Sequence, residues 1–113
     1  MKLENTKAQM RRGILEMCIL AIISQEGEAY PSDIIKILKS EDLIVVEGTL
    51  YPLLSRLKRS ELLEYSWKES TSGPPRKYYA LTEKGTEFLN ELFGNWQHLA
   101  KAVSATTKNL IKA

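Results

Sequence analysis

Few side chains in this sequence are of the kind that make or break bonds. His98 is the only histidine and Cys18 the only cysteine. His98 follows Gln97 in a helical stretch and reads as surface decoration; Cys18 falls on an apolar face and reads as core. There is no serine–histidine–aspartate set, no run with metal-ligand spacing and no glycine-rich phosphate cradle. The inventory therefore argues against an enzyme and asks for neither a metal nor a cofactor. What it does offer is hydrogen-bond donors in a line. Thr49, Tyr51, Pro52, Ser55, Arg56 and Arg59 share the polar side of one helical segment, and Arg76 and Lys77 follow further along. Arginine reaches phosphates, or takes guanine with both arms of its fork. A single exposed arginine is as often a solvated charge as a contact. Tyr51 is harder to dismiss, because its neighbours by periodicity are polar.

Elements able to hold such a line must fit in 113 residues, enough for one domain and little more. The chain is 43% apolar and 27% charged, as in an ordinary globular protein. The net charge is only +2, so the distribution of charge matters more than its total. The apolar run Ile14–Ile23 is broken by Glu16 and is shorter than the ~20 residues a bilayer requires. Lys2, Glu4, Lys7, Arg11 and Arg12 precede it and no small-residue cleavage site follows, unlike a secretory signal. A single cysteine fits a reducing compartment, so a cytoplasmic protein with no membrane partner is expected.

A first helix is expected from about Asn5 to Ser24, with Ile14, Leu15, Cys18, Ile19, Ile22 and Ile23 inward and Gly27 closing it. Pro31 opens a second, 31–39, that buries Ile34, Ile35 and Leu38. The β-branched Ile44, Val45 and Val46 predict a short strand. A third helix, 47–60, presents Leu50, Leu53, Leu54 and Leu57 as one continuous apolar face. Alternation then predicts a hairpin: Leu63, Tyr65 and Trp67 alternate with polar residues, and Lys77, Tyr79 and Leu81 do the same on the return strand. Ser70–Arg76, which holds Gly73, Pro74 and Pro75, is expected to be a projecting loop. Thr82 is a good N-cap for a last helix running to about Ile111. Along it Leu89, Leu92, Trp96, Leu99, Val103, Thr106 and Leu110 recur at alternating spacings of three and four, a coiled-coil seam.

This order describes a mainly α (α+β) fold: a winged helix-turn-helix over residues 1–81, with a two- to three-stranded wing sheet, and a long C-terminal dimerisation helix over 82–113. In that architecture the third helix enters the major groove of double-stranded DNA and the wing touches the backbone or the adjacent minor groove. The last helix has few internal partners for its second half. Its seam residues Leu89, Leu92, Trp96, Leu99, Val103 and Leu110 are expected to meet a second copy of the chain. A homodimer with a two-fold axis matches an inverted-repeat operator, half-sites about one turn apart.

The stretch Gly48-Thr49-Leu50-Tyr51-Pro52-Leu53-Leu54, then Arg56-Leu57, resembles the third helix of the PadR-like transcriptional regulators. Arg12-Gly13-Ile14-Leu15-Glu16 and the run from Gly73 to Gly85 extend the resemblance over nearly the whole chain. The second helix departs from it, reading Tyr30-Pro31-Ser32-Asp33 where many members begin with a His-Gly-Tyr-like start. The resemblance implies a repressor of the short subfamily, released from DNA by a small hydrophobic or aromatic effector. In that subfamily a tryptophan of the last helix lines a pore at the dimer centre. Trp96 stands at the matching place, Phe93 precedes it, and Cys18 and Ile22 of the first helix are candidates to complete the cavity. Two readings stay open at this point. Trp96 is either an effector contact or an ordinary residue of the dimer seam. The chain as a whole is either a DNA-binding regulator or a winged-helix interaction module without specific DNA binding, since the fold serves both.

Overall fold

A computed structural model describes residues 1–110. Helix α1 (Leu3–Glu26) is followed by α2 (Pro31–Ser40) and α3 (Glu47–Arg59). The hairpin β1 (Leu63–Ser70) and β2 (Gly73–Leu81) then leads into α4 (Glu83–Thr107). The architecture is the expected winged helix-turn-helix with a C-terminal helix, and its sheet has two strands.

The core is aliphatic. Ile19, Leu20 and Ile23 of α1, Ile34 and Leu38 of α2, and Leu50 and Leu54 of α3 are fully buried. Leu57, Leu62, Leu63 and Tyr79 close it from the wing side. Ile14, Leu15 and Cys18, expected inward on α1, are only half-buried, and Leu20, which the sequence reading left out, is fully buried. The inward stripe of α1 thus lies closer to its C-terminal half.

Helices α2 and α3 end alike, without glycine. Asp42 (φ 62°) and Glu61 (φ 64°) take the left-handed conformation after them. The next amide then reaches five residues back, Leu43 N–H to the Leu38 carbonyl at 2.9 Å and Leu62 N–H to the Leu57 carbonyl at 3.0 Å. Both are Schellman closures, sealed by leucine pairs in the core.

Three expectations are corrected. Ile44–Val46 is not a strand: Val45 alone is buried, Ile44 and Val46 are exposed, and no partner strand lies alongside. The sheet edge that could receive it is taken instead by Ala29, which exchanges two 2.9 Å backbone hydrogen bonds with Tyr79. The segment is extended backbone leading to Val46, whose carbonyl accepts from the Thr49 and Leu50 amides. Second, Gly73–Arg76 belongs to β2 rather than to a loop. Ser70 pairs with Gly73 and Lys68 with Arg76, and the register shift between them holds Pro74 and Pro75, where a missing donor costs no ladder bond. Third, α4 stops at Thr107, so Leu110 lies past its end. The hydroxyls of Thr106 and Thr107 turn back onto the carbonyls of the preceding turn, competing with the helix there. The expected continuation to Ile111, with the rest of 111–113, lies outside the described residues. Among the described residues no helix is long and apolar enough to cross a membrane.

The junction between α3 and α4 is tightly specified. As expected, Thr82 caps α4, its hydroxyl accepting from the Gly85 amide at 2.9 Å. The same hydroxyl donates to the Glu61 carbonyl at 2.6 Å, and the Thr82 amide donates to the Leu62 carbonyl at 3.1 Å. Gly85 is pressed against that carbonyl: a Cβ there would lie 2.0 Å from the Leu62 oxygen. Backbone would have to move to admit it. Gly85→Ala is therefore expected to lower the unfolding free energy by about 1–3 kcal/mol in urea denaturation. A variant as stable as the parent would show that α4 is not seated here.

Candidate nucleic-acid interface

The apolar side of α3 is locked into the core, so its opposite side has no choice but to face solvent. Thr49, Tyr51, Pro52, Ser55, Arg56 and Arg59 are all exposed. Pro52 has no amide to donate to the carbonyl one turn back, so it interrupts the backbone ladder near the start of the helix. The face therefore carries hydroxyls, a phenol and a cation, on a helix that its buried leucines keep from rotating.

On one flank the wing leans over Tyr51. Tyr30, Pro31, Tyr51, Trp67, Arg76 and Lys77 line a shallow groove of about 260 Å³. The wing's cations rest on aromatic faces. The Lys77 ammonium lies 4.3 Å from the centre of the Tyr65 ring, 5.4 Å from Trp67 and 6.0 Å from Tyr79. The Arg76 guanidinium lies 4.8 Å from the centre of Tyr30. Rings orient a cation by their quadrupole without neutralising it. Among the described residues, Arg11, Arg12, Arg59, Arg76 and Lys77 form no ion pair. Their charge stays available to an anion. Partial burial, followed by the Glu47 carboxylate and Tyr30, pushes the Tyr51 phenol up; burial, followed by Tyr51 and Tyr65, does the same for Tyr79. Both remain neutral hydroxyl donors near neutral pH.

On the other flank a cleft of about 650 Å³ separates α3 from α1, with Arg11 and Arg12 on its α1 wall and Thr49 and Pro52 on its α3 wall. Arg56 does not project from the face as the sequence suggested. It turns sideways, and its guanidinium donates to the Glu16 carboxylate of α1. The sequence reading assigned no role to Glu16, to Tyr30 or to the Arg11–Arg12 pair as cations. Two adjacent arginines ahead of the first apolar run were a legible signal for the last of these. Nothing in the sequence marks the other two, because each acts across the fold.

A second concavity lies between α1 and α4. Met10, Gly13, Ile14 and Met17 form one wall and Leu92, Trp96 and Leu99 the other, around about 340 Å³. Trp96 stands on the α4 wall of this groove. Phe93 is exposed and outside the groove, Ile22 is buried in the core, and Cys18 packs against that core. Burial pushes the Cys18 thiol up, so it stays protonated. The groove is completed by methionines and a glycine of α1, and not by Cys18 and Ile22. Beyond it the α4 seam is open: Trp96, Leu99, Val103 and Leu110 are 39%, 48%, 56% and 74% exposed, while Leu89 and Leu92 are half-buried. Among the described residues no cluster of histidine, cysteine or acidic side chains is arranged to hold a metal.

The family described as transcriptional regulator PadR-like matches residues 19–91. A PadR-like transcription factor from Bacteroides fragilis is 58% identical, with a TM-score of 0.77 over 90% of this chain and 98% of that one. A PadR-like transcriptional regulator from Bacillus cereus is 44% identical, with a TM-score of 0.72 over 93% of this chain and 98% of that one. The fold is also shared with Bacillus subtilis PadR, whose structure is a complex with operator DNA. That likeness has 22% identity and a TM-score of 0.64 over 71% of this chain and 45% of the other.

Proposed function

The chain belongs to the PadR-like family of transcriptional regulators and is a regulator rather than an enzyme; from that premise we propose that it is a cytoplasmic repressor that binds an inverted-repeat operator as a homodimer. One observation carries the DNA reading. The exposed side of the leucine-backed α3 lies beside the wing cations Arg76 and Lys77, which aromatic rings hold in place and which no carboxylate among the described residues neutralises. The operator complex of the Bacillus subtilis fold relative supports DNA as the partner of this face. Thr49, Tyr51, Pro52, Ser55 and Arg59 read base edges or the adjoining sugar-phosphate, while Arg76 and Lys77 hold the backbone at the wing.

The dimer reading rests on α4. Its seam of Leu89, Leu92, Trp96, Leu99 and Val103, continued by Leu110, is too apolar to be left in water over its outer half. A second copy covers it by two-fold symmetry and sets two copies of α3 for two half-sites. The groove around Trp96 is apolar and faces this seam. It suits a flat aromatic effector that stacks on the indole and releases the operator by changing how α4 is held.

Four measurements test these statements. Selection from random duplexes should yield an inverted repeat bound more weakly as salt rises. On that duplex Arg59→Ala is expected to cost ~1–3 kcal/mol at specific positions. Lys77→Ala should weaken all sequences alike and lower the salt slope by about one. No sequence preference, or binding indifferent to salt, would leave an interaction module instead. Leu99→Asp places a charge in the seam; monomers without operator affinity are expected in sedimentation, and a persisting dimer would put the interface elsewhere. In a Trp67→Phe background, planar aromatic cations should quench Trp96 emission; an unchanged spectrum at saturating dye removes the effector.

A further inference from the structure

We propose that Glu16 and Arg56 form a positioning pair that sets the reading helix α3 against α1, so that Arg56 serves the DNA interface through Glu16 and not by touching DNA. This rests on the DNA reading given above. The Arg56 guanidinium donates to Glu16, whose side chain is 20% exposed, against 50% for Arg56. A carboxylate so far withdrawn from water needs a charged or hydrogen-bonding partner. Arg56 is the one Glu16 has among the described residues.

The placement of the pair gives it mechanical meaning. The backbone of α3 approaches α2 and β1 most closely and that of α1 approaches α2, β2 and α4, while α1 and α3 share the core through Ile19, Leu20 and Ile23 on one side and Leu50, Leu54 and Leu57 on the other. Between α1 and α3 lies the open cleft, walled by Arg12 and Leu15 on one side and Pro52 and Leu53 on the other. Glu16 is one turn beyond Arg12, and Arg56 one turn beyond Pro52. The pair therefore ties the two helices where the gap between them ends and their shared core begins. The other ion pairs do not touch α3: Glu4–Lys7 lies within α1, Glu28–Lys68 joins the wing to the turn after α1, and Glu61–Lys84 lies at the exposed start of α4.

On an adjoining face of the same stretch of α1, Gly13, Ile14 and Met17 line the groove that holds Trp96. One length of helix thus carries the Trp96 groove on one side and the strut to α3 on another. A shift of α1 against α4 is delivered by Glu16 to the angle at which α3 meets DNA.

The experiment uses the full-length dimer and the selected duplex, with spacers lengthened and shortened by one base pair. Glu16→Gln, Arg56→Gln and the double variant are compared at a temperature where circular dichroism shows each folded. Glu16→Gln and Arg56→Gln are expected to weaken binding to a similar degree, roughly 2- to 30-fold. The double variant should be no weaker than either single one. All should keep the parental salt slope, and Glu16→Gln should discriminate less between spacers. Arg56→Lys, which keeps the charge, should recover part of the loss. If Arg56→Gln lowers the salt slope by about one while Glu16→Gln binds like the parent, Arg56 is a phosphate contact and the pair has no positioning role. Additive losses with unchanged spacer preference overturn it as well. A parent protein with no duplex preference would instead sink the DNA reading on which the pair depends.

Discussion

The arrangement depends on the burial of one side of α3. Leu50 and Leu54 are completely enclosed and Leu57 nearly so, against Ile19, Leu20, Ile23, Ile34 and Leu38. Each such side chain is worth ~1.5–3 kcal/mol against exposure, so turning α3 about its axis by even one position would sacrifice several at once. The rotation of the helix is fixed by residues that never meet a ligand. Ser55 and Arg59 are held outward by the leucines behind them. The Schellman closure at Glu61 and the Thr82 cap then carry the same constraint into the wing and α4.

Electrostatics completes what packing begins. A net charge of +2 is too small to draw a polyanion by itself. Locally the balance differs, because the acidic side chains that form ion pairs engage Lys7, Arg56, Lys68 and Lys84 and, among the described residues, leave Arg11, Arg12, Arg59, Arg76 and Lys77 without one. Lys77 is surrounded by Tyr65, Trp67 and Tyr79, which direct its ammonium without cancelling it. Aromatic rings thereby do the orienting that a carboxylate would do elsewhere, and the field of the site is preserved.

Much of this was legible in the residue order. Leucine periodicity in α3, Pro31 at the start of α2 and Thr82 ahead of α4 are local signals, and each element lies where they put it. The failures have one physical source. Strand propensity at Ile44–Val46 needs a free sheet edge, and Ala29, distant in sequence, occupies it. Pro74 and Pro75 argue for a loop only if the ladder must run evenly, and a register shift spares it. Arg56 has the right periodicity to face outward but meets a carboxylate 40 residues away. Cys18 and Ile22 lie on the correct helix, yet the groove opens on the adjoining stripe of Met10, Gly13, Ile14 and Met17. Period reveals which way a side chain points from its own helix; what waits there is set by the other elements.

The paired prolines of the wing have a bearing on solubility. Beyond the bridge to Ala29 the ribbon's edges are bare, and bare edges invite stacking by other chains. Near the tip, Pro74 and Pro75 carry no amide hydrogen and the ladder is already irregular. Successive amides face opposite edges, so a stray strand arriving there finds a missing donor and a kinked template. The wing is thus built to refuse the sheet-to-sheet growth that ends in fibrils.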